Sequence, residues 1–296
     1  MAKPSLYLVN GALGAGKTTV VDFLLRQPFL RKARVIENEF ASVSVDTQTL
    51  AARAKEVATI AGACICCHDG DELVRLLEEF AQQSDRPVII ESTGVANTVR
   101  LIEKLAASDV LERYELAQSL YVLDALETEP ALVSPPMRTE LQVADLVIVS
   151  KGDAITTEQR RAVTAMLAAS GVDSVVWADH GMFGVNALYR PSQVLAAVLM
   201  IDAAPLAETD MNYTVLQVAD MALSPQQVRE AWRVLQVSHG LRRLKGGFTD
   251  GTQRYHVEAT PRQCMVTPSD DEPCQLVCIG TAAHMIHRAT LEEILV

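Results

Sequence analysis

A glycine-rich segment near the start of the chain limits the possible folds more than any other feature. Residues 11–18 read Gly-Ala-Leu-Gly-Ala-Gly-Lys-Thr and match the phosphate-binding pattern G-x-x-x-x-G-K-[ST]. An apolar run at 6–10 precedes this segment, and apolar residues at helical spacing follow it at 18–26. A strand, a glycine loop and a helix in this order predict a nucleoside triphosphate site. An ordinary glycine-rich turn is the alternative.

Each part of this loop has an expected role. The glycines allow backbone N–H groups to point at phosphate oxygens, and the helix adds the positive end of its dipole. We expect Lys17 to reach the β- and γ-phosphates and the Thr18 hydroxyl to hold Mg²⁺. The predicted nucleotide-binding residues of the loop are Gly11, Gly14, Ala15, Gly16, Lys17, Thr18 and Thr19.

Short apolar runs alternate with helical periodicity up to residue 204. Strands are predicted at 6–10, 33–36, 87–90, 120–123, 146–149 and 175–176, and helices at 18–26, 71–82, 95–105 and 158–169. Strands separated by helices indicate βαβ units. The sequence therefore predicts a P-loop NTPase domain of the α/β class in residues 1–204, with a mostly parallel sheet flanked by helices.

A different pattern follows a linker at 205–210. Strands are predicted at 213–218, 241–248, 255–259 and 275–279, around a helix at 225–237. This order predicts a small C-terminal α+β domain with an antiparallel sheet over residues 211–296. Thr290, with Glu293 three residues later, is typical of a capping box that begins a short helix.

The charge and the cysteine content of the chain indicate which classes of partner it can bind and in which cellular compartment it is expected. With 26 basic and 37 acidic residues and a net charge of −11, the chain lacks the clustered positive charge that nucleic acids or anionic membranes require. No apolar run is long enough for a membrane span or a signal peptide. Three of the six cysteines lie within four positions, which is typical of a thiol site in a reducing compartment. We expect a soluble, cytoplasmic enzyme or switch.

The segment 146–153 bears on which base is bound. It ends an apolar run in Ser-Lys-Gly-Asp, which is similar to the guanine-recognition pattern N-K-x-D with Ser150 in place of Asn. The Asp153 carboxylate can accept from two N–H donors of guanine, a pair that adenine lacks. Lys151 and Asp153 therefore favour GTP over ATP, and a plain strand-closing turn is the alternative.

Glu91 ends the apolar run at 87–90 and is followed by Ser-Thr-Gly. A carboxylate at such a strand end is suited to Mg²⁺ or its water, and a nearby glycine suits a segment that senses the γ-phosphate. We expect Glu91 near Mg²⁺ and Gly94 as the hinge of that segment, with Lys17 and Thr18 as the other catalytic residues. A plain strand end is the alternative.

A dense group of thiols occupies residues 64–67, which read Cys-Ile-Cys-Cys and precede His68. Thiolates are soft ligands that bind Zn²⁺ or Cu(I). This spacing differs from the C-x-x-C of zinc fingers, so a further ligand has to come from elsewhere. Glu37, placed just after the second predicted strand, could supply it. Buried small hydrophobic residues or a redox-sensing pair are the alternatives.

Taken in order, five segments resemble the CobW-like P-loop GTPases, relatives of the UreG and HypB metallochaperones, and within them the YjiA subgroup. The segments are 11–18, Glu-Asn-Glu-Phe at 37–40, 64–67, 91–94 and 150–153. The resemblance implies a slow GTPase that binds GTP or GDP with Mg²⁺ and carries Zn²⁺ or another transition metal to a client metalloprotein. It further implies that Cys66 and Cys67 are metal ligands, assisted by Glu37 and Cys64.

Some residues depart from the family pattern. Ala41 and Ala63 stand where the family has glycine, and Ser42 stands where an acidic residue is common. The alanines restrict turns that a switch needs, and the serine removes one oxygen ligand. The missing acidic residue and the missing His-rich tract of many zinc-handling members favour a second function, a regulatory GTPase with structural thiols, whereas the intact C-x-C-C opposes it. A third, a small-molecule kinase, is disfavoured by the guanine-type turn, and a homodimer stays an open alternative.

Overall fold

The computed structural model describes residues 3–39, 50, 53–61, 70–83, 85–92, 97–128, 133–189, 191–195, 198, 212–261, 263–269 and 273–294. Contacts divide the chain into two compact units, Met1–Ala207 and Glu208–Val296. The glycine loop lies in the first unit. None of the described helices is long and apolar enough to cross a membrane.

The first unit contains a seven-stranded sheet with the strand order β3-β2-β4-β1-β5-β6-β7, in which every neighbouring pair is parallel. The strands are β1 (Ser5–Gly11), β2 (Arg34–Glu39), β3 (Glu56–Ala61), β4 (Val88–Glu91), β5 (Glu115–Asp124), β6 (Leu146–Ser150) and β7 (Val175–Trp177). The strands β1, β4 and β6 are buried along almost their whole length because helices cover both faces. This arrangement confirms the predicted parallel sheet.

The helices described in this unit are α1 (Lys17–Leu25), α2 (Gly70–Gln83), α3 (Thr98–Ala106), α4 (Val110–Arg113), α5 (Pro135–Val143) and α6 (Thr157–Ala169), with a 3₁₀ helix at Val185–Tyr189. Three of them begin after a residue whose side chain caps the helix. The side chains of Asn97, Ser134 and Thr156 accept backbone N–H groups at the starts of α3, α5 and α6. These caps satisfy donors that have no partner inside the helix.

The alternation of side chains along β1 separates the two faces of the sheet. Leu6 and Leu8 pack in a core that includes Leu101 and Leu105 of α3. Val9 packs on the other face, in a core that includes Val21 of α1. The nucleotide loop therefore begins on a strand that is buried on both sides.

The second unit contains a five-stranded antiparallel sheet with the order β11-β10-β9-β12-β8. Its elements are β8 (Asn212–Gln217), α7 (Pro225–His239), β9 (Leu241–Thr249), β10 (Arg254–Thr260), β11 (Gln263–Pro268), β12 (Gln275–Gly280), a 3₁₀ helix at Ala283–Met285 and α8 (Arg288–Ile294). Trp232 and Leu235 of α7 pack in one core with Leu244, Phe248 and Val257 of the sheet. The predicted α+β arrangement is confirmed.

Some predicted boundaries were wrong for local reasons. The last helix begins at Arg288, and Thr290 lies inside it, where its hydroxyl accepts from the N–H of His287 at 3.2 Å. Thr290 therefore forms its hydrogen bond from a position inside the first turn of the helix, rather than from a position before the helix. Similarly, α3 begins at Thr98 because Asn97 caps it, three residues later than the apolar spacing indicated.

Candidate functional site

The glycine loop connects the end of β1 to the start of α1, at the edge of the sheet where all seven strands end. Gly11 pairs with Val122 of β5, has φ of 144°, and would place a Cβ atom 2.2 Å from the Val122 carbonyl oxygen. No L side chain fits this approach, because the contact is with backbone. The first glycine of the motif is thus required for the close packing of β1 on β5.

Lys17 is the first residue of α1 and its side chain is buried. Its Nζ donates to the carbonyl oxygens of Gly11 at 3.0 Å and Ala12 at 3.1 Å. A buried ammonium group needs acceptors, since an unpaired charge away from water is costly. These bonds hold the positive charge inside the loop, where phosphate oxygens would be its natural partners.

Thr18 and Glu91 meet at the same edge. The Thr18 hydroxyl donates to Oε1 of Glu91 at 2.8 Å, although the two residues are 73 positions apart. A hydroxyl and a carboxylate are hard oxygen donors of the kind that Mg²⁺ prefers. The residues present therefore fit the predicted Mg²⁺ site.

Glu37 lies inside β2, not after it as the sequence indicated, because the strand extends to Glu39. In the parallel register, Glu37 is opposite Glu91 on β4 and Thr59 on β3. The side chains of Glu37 and Glu91 are both buried, at 2% and 6% exposed. The residue proposed to bind a transition metal is therefore the direct neighbour of the residue proposed to bind Mg²⁺.

The predicted base-recognition turn follows β6 and is tied to the loop. The Ser150 hydroxyl lies 2.7 Å from the carbonyl oxygen of Ala15 and 3.2 Å from that of Leu123. Lys151 has a left-handed backbone with φ of 55°, and its Nζ forms an ion pair with Asp124 at 2.6 Å. Asp153 is exposed in the same turn.

Two contacts beside this turn were missed by sequence reasoning. The guanidinium group of Arg160 lies 3.9 Å from the ring centroid of Trp177, at the end of β7. Further on, Gly181 has φ of 77°, and a Cβ there would lie 2.6 Å from Cγ2 of Thr19. The only available signal was topological, since the ends of β6 and β7 must lie at the edge that carries the loop.

The thiol prediction falls on residues outside the described ranges. These residues are Cys64, Cys66, Cys67 and His68, and the predicted hinge Gly94 and the departures Ala41, Ser42 and Ala63 are also outside them. Among the residues that are described, no group of three or more His, Cys, Asp or Glu side chains is arranged to hold a metal ion. In the second unit, burial raises the pKa of the Cys278 thiol to about 12, which keeps it protonated and unsuited to metal binding.

Comparison with known proteins places this site in a family. The family model described as "CobW/HypB/UreG, nucleotide-binding domain" matches residues 5–172. The chain belongs to this family. The matched region contains the loop, Glu37, Glu91 and the turn at 150–153, and the predicted family resemblance is confirmed.

Two curated relatives are zinc chaperones of Escherichia coli strain K12. YjiA is 32% identical over 154 residues, covering 49% of this chain and 48% of that protein. YeiR is 29% identical over 195 residues, covering 64% and 59%. The chain thus spans about half to three fifths of the length of these relatives. Zn(II)-bound YjiA GTPase from E. coli, a solved structure, covers 99% of both chains at 20% identity and a TM-score of 0.44, so the family assignment rests on the sequence matches.

Proposed function

We propose that this protein binds and hydrolyses GTP and acts as a metallochaperone or metallocentre assembly factor for Zn²⁺ or a similar transition metal. The observation that carries the proposal is the register of β2 on β4. It places Glu37, the expected metal ligand, directly beside Glu91, which accepts the hydroxyl of the loop residue Thr18. Two CobW/HypB/UreG relatives described as zinc chaperones support the same function.

The loop residues would carry the nucleotide chemistry. Lys17 and the backbone N–H groups of the loop would bind the phosphates, while Thr18 and Glu91 would hold Mg²⁺ or its water. When bound, Mg²⁺ neutralises charge that develops on the transferred phosphoryl group. Lys151 and Asp153 would select guanine, with Asp124 holding the Lys151 side chain in place.

The metal would be cargo rather than a resident cofactor. Glu37 would supply one oxygen ligand, and Cys66 and Cys67, with Cys64 assisting, would supply the thiolates. A site with few protein ligands leaves a position open for exchange. Because Glu37 and Glu91 are opposite each other on adjacent strands, hydrolysis would then change the affinity for the metal. The ion would be released to a client metalloprotein.

A zinc titration tests this proposal. Reduced protein competes with a chromophoric chelator for Zn²⁺, in the presence of Mg²⁺ and either GDP or a non-hydrolysable GTP analogue. We expect a severalfold difference in zinc affinity between the two nucleotides. Cys66→Ser and Glu37→Gln should each abolish that difference, whereas the control Cys274→Ser, in the second unit, should retain it.

The alternative is a regulatory GTPase with structural thiols. The residue that favours it is Ser42, which stands where an acidic residue is common in the family, and the intact Cys-Ile-Cys-Cys segment at 64–67 opposes it. Equal zinc affinity in both nucleotide states, together with tight GTP binding, would establish this alternative. A clear preference for ATP over GTP would contradict both functions and indicate a kinase.

A further inference from the structure

A second polar cluster lies on the face of the sheet opposite Thr18 and Glu91. It consists of Asn10, Ser92, Thr98 and Glu140. Asn10, Ser92 and Thr98 are buried and Glu140 is half-buried. The cluster joins β1, the residue after β4, the first residue of α3 and the middle of α5, and only Ser92, in the segment 91–94, belongs to a motif singled out in the sequence.

Asn10 is the centre of the cluster. Its Oδ1 accepts from the N–H of Gly11 at 2.8 Å and from the hydroxyl of Ser92 at 2.7 Å. Its Nδ2 donates to Oε2 of Glu140 at 2.8 Å and also to the Thr98 hydroxyl. Because the N–H of Gly11 can only donate, the Asn10 amide has one possible orientation.

Glu140 receives an N–H donor on each carboxylate oxygen. Oε1 accepts from the backbone N–H of Thr98 at 2.9 Å, and Oε2 accepts from Asn10. The Thr98 N–H begins α3 and has no acceptor within the helix. Burial raises the pKa of Glu140, and its hydrogen bonds with Thr98 and Asn10 oppose that rise. Only an acidic side chain offers two acceptors here, since a glutamine would turn an NH₂ group toward one of the donors.

The cluster contacts both strand ends of the nucleotide site from the opposite face of the sheet. Asn10 directly precedes the P-loop glycine, and Ser92 directly follows Glu91. The backbone N–H of Ser92 also donates to the carbonyl oxygen of Val9 at 3.0 Å, which joins β4 to β1 at this point. A shift of Asn10 would therefore move Gly11 and Ser92 together.

We propose that Asn10 and Glu140 are positioning residues that hold the P-loop and the Glu91 strand end in the arrangement required for GTP hydrolysis. The proposal rests on the proposed GTPase function and adds two residues to it. Neither residue needs to touch the nucleotide. Their effect passes through the Gly11 N–H on one side and through Ser92 on the other.

A reciprocal exchange tests this pair. Glu140→Gln turns an NH₂ group against an N–H donor, and Asn10→Asp places a second carboxylate against Glu140. The double variant remakes the bond between the two side chains with donor and acceptor exchanged, leaves oxygen acceptors for the backbone N–H groups of Gly11 and Thr98, and keeps the net charge. Glu103→Gln, an exposed change of the same chemistry on α3, is the control.

The measurements are kcat and KM for GTP hydrolysis, affinity for fluorescent GDP, and thermal unfolding of all variants. Each single variant should lower kcat at least about fivefold, because a buried hydrogen-bonding group loses its partner. The double variant should recover to within about twofold of the wild type, as expected for two residues that act as a unit. The control should match the wild type in every measurement.

Four results would count against the inference or against the function on which it rests, in distinguishable ways. A double variant no faster than the slower single variant, yet cooperatively folded, would show that the two residues do not act as a pair. Single variants that unfold at lower temperature but keep normal kcat would show a structural role only. If the wild type neither binds nor hydrolyses GTP, the proposed function fails. Independently of that result, the pairing of Asn10 with Glu140 would be overturned if the changes in unfolding temperature of the two single variants simply added up in the double variant.

Discussion

Replacing Ser150 with alanine removes one oxygen atom from the junction between β6 and the P-loop. The hydroxyl lies 2.7 Å from the carbonyl oxygen of Ala15, a residue with no exposed surface. The methyl group of alanine keeps the remaining volume, so no cavity forms. The variant therefore removes the hydroxyl whose shorter contact, with Ala15, joins the predicted base-recognition turn to the phosphate loop, and whose longer contact, at 3.2 Å, is with the carbonyl oxygen of Leu123.

The expected magnitude follows from burial. Leaving a buried acceptor without its donor costs about 1 to 2 kcal/mol in the free energy of unfolding. For a unit of this size, that loss corresponds to a decrease of about 3 to 6 °C in melting temperature. If the bond also holds the loop in its binding conformation, the affinity for GTP should fall by up to about tenfold.

Thermal unfolding and equilibrium binding of fluorescent GTP and GDP measure the two effects. Thr164→Ala is a suitable control, because its hydroxyl donates to the carbonyl of Arg160 at 2.8 Å on an exposed surface of the same unit. The control should change unfolding by no more than about 0.5 kcal/mol. An unchanged melting temperature and unchanged affinity in Ser150→Ala would refute the assignment of Ser150 as the anchor of the loop.

Three further perturbations have expected outcomes. Lys17→Met should lower the affinity for GTP at least about a hundredfold in equilibrium binding, because the charge held inside the loop is lost. Gly11→Ala should destabilise the first unit by more than about 3 kcal/mol in denaturant unfolding, since its Cβ would lie 2.2 Å from the Val122 carbonyl oxygen at φ of 144°. Cys278 should resist iodoacetamide at pH 8 in the native protein and react only after unfolding. Burial raises its pKa to about 12, so the stability linked to its protonated form is fully present below the unfolded pKa and is lost progressively as the pH rises from there through about 12. Labelling of native Cys278 at pH 8 would contradict this assignment.

The strands inside each sheet were predicted from the sequence, as were the edge strands β7 and β8, whereas the edge strands β3 and β11 were not. The runs that became β1, β4 and β6 are apolar at almost every position, as a covered parallel sheet requires. By contrast, β3 and β11 lie at the edges of their sheets. Most residues of β11 are partly or fully exposed, and it ends at Pro268. A half-exposed strand lacks the continuous apolar run that predicts a covered strand.

The same distinction applies to the candidate site. The P-loop, Glu91 and the turn at 150–153 each follow an apolar run. Because parallel strands end at the same edge of a sheet, segments that follow such runs are expected to lie together. The bond between Asn10 and Glu140 joins residues 130 positions apart through a strand and a helix. The helix α5 was itself not predicted, because Pro135 and Pro136 suggest a break, whereas proline is well tolerated in the first turn.

The register of β2 on β4 would give the proposed coupling of metal and nucleotide a physical basis. Neighbouring strands lie about 4.8 Å apart, so the carboxylates of Glu37 and Glu91 are close enough to repel each other when both are ionised. At about 5 Å and an effective dielectric constant of about 20, that repulsion is of order 3 kcal/mol. A cation held at Glu91 would relieve it and change the affinity of Glu37 for a second cation. Because such coupling is reciprocal, a metal ion at Glu37 must alter Mg²⁺ and nucleotide binding by the same free energy. The proposed metal site on the adjacent strand would therefore report the nucleotide state without any large movement of the sheet.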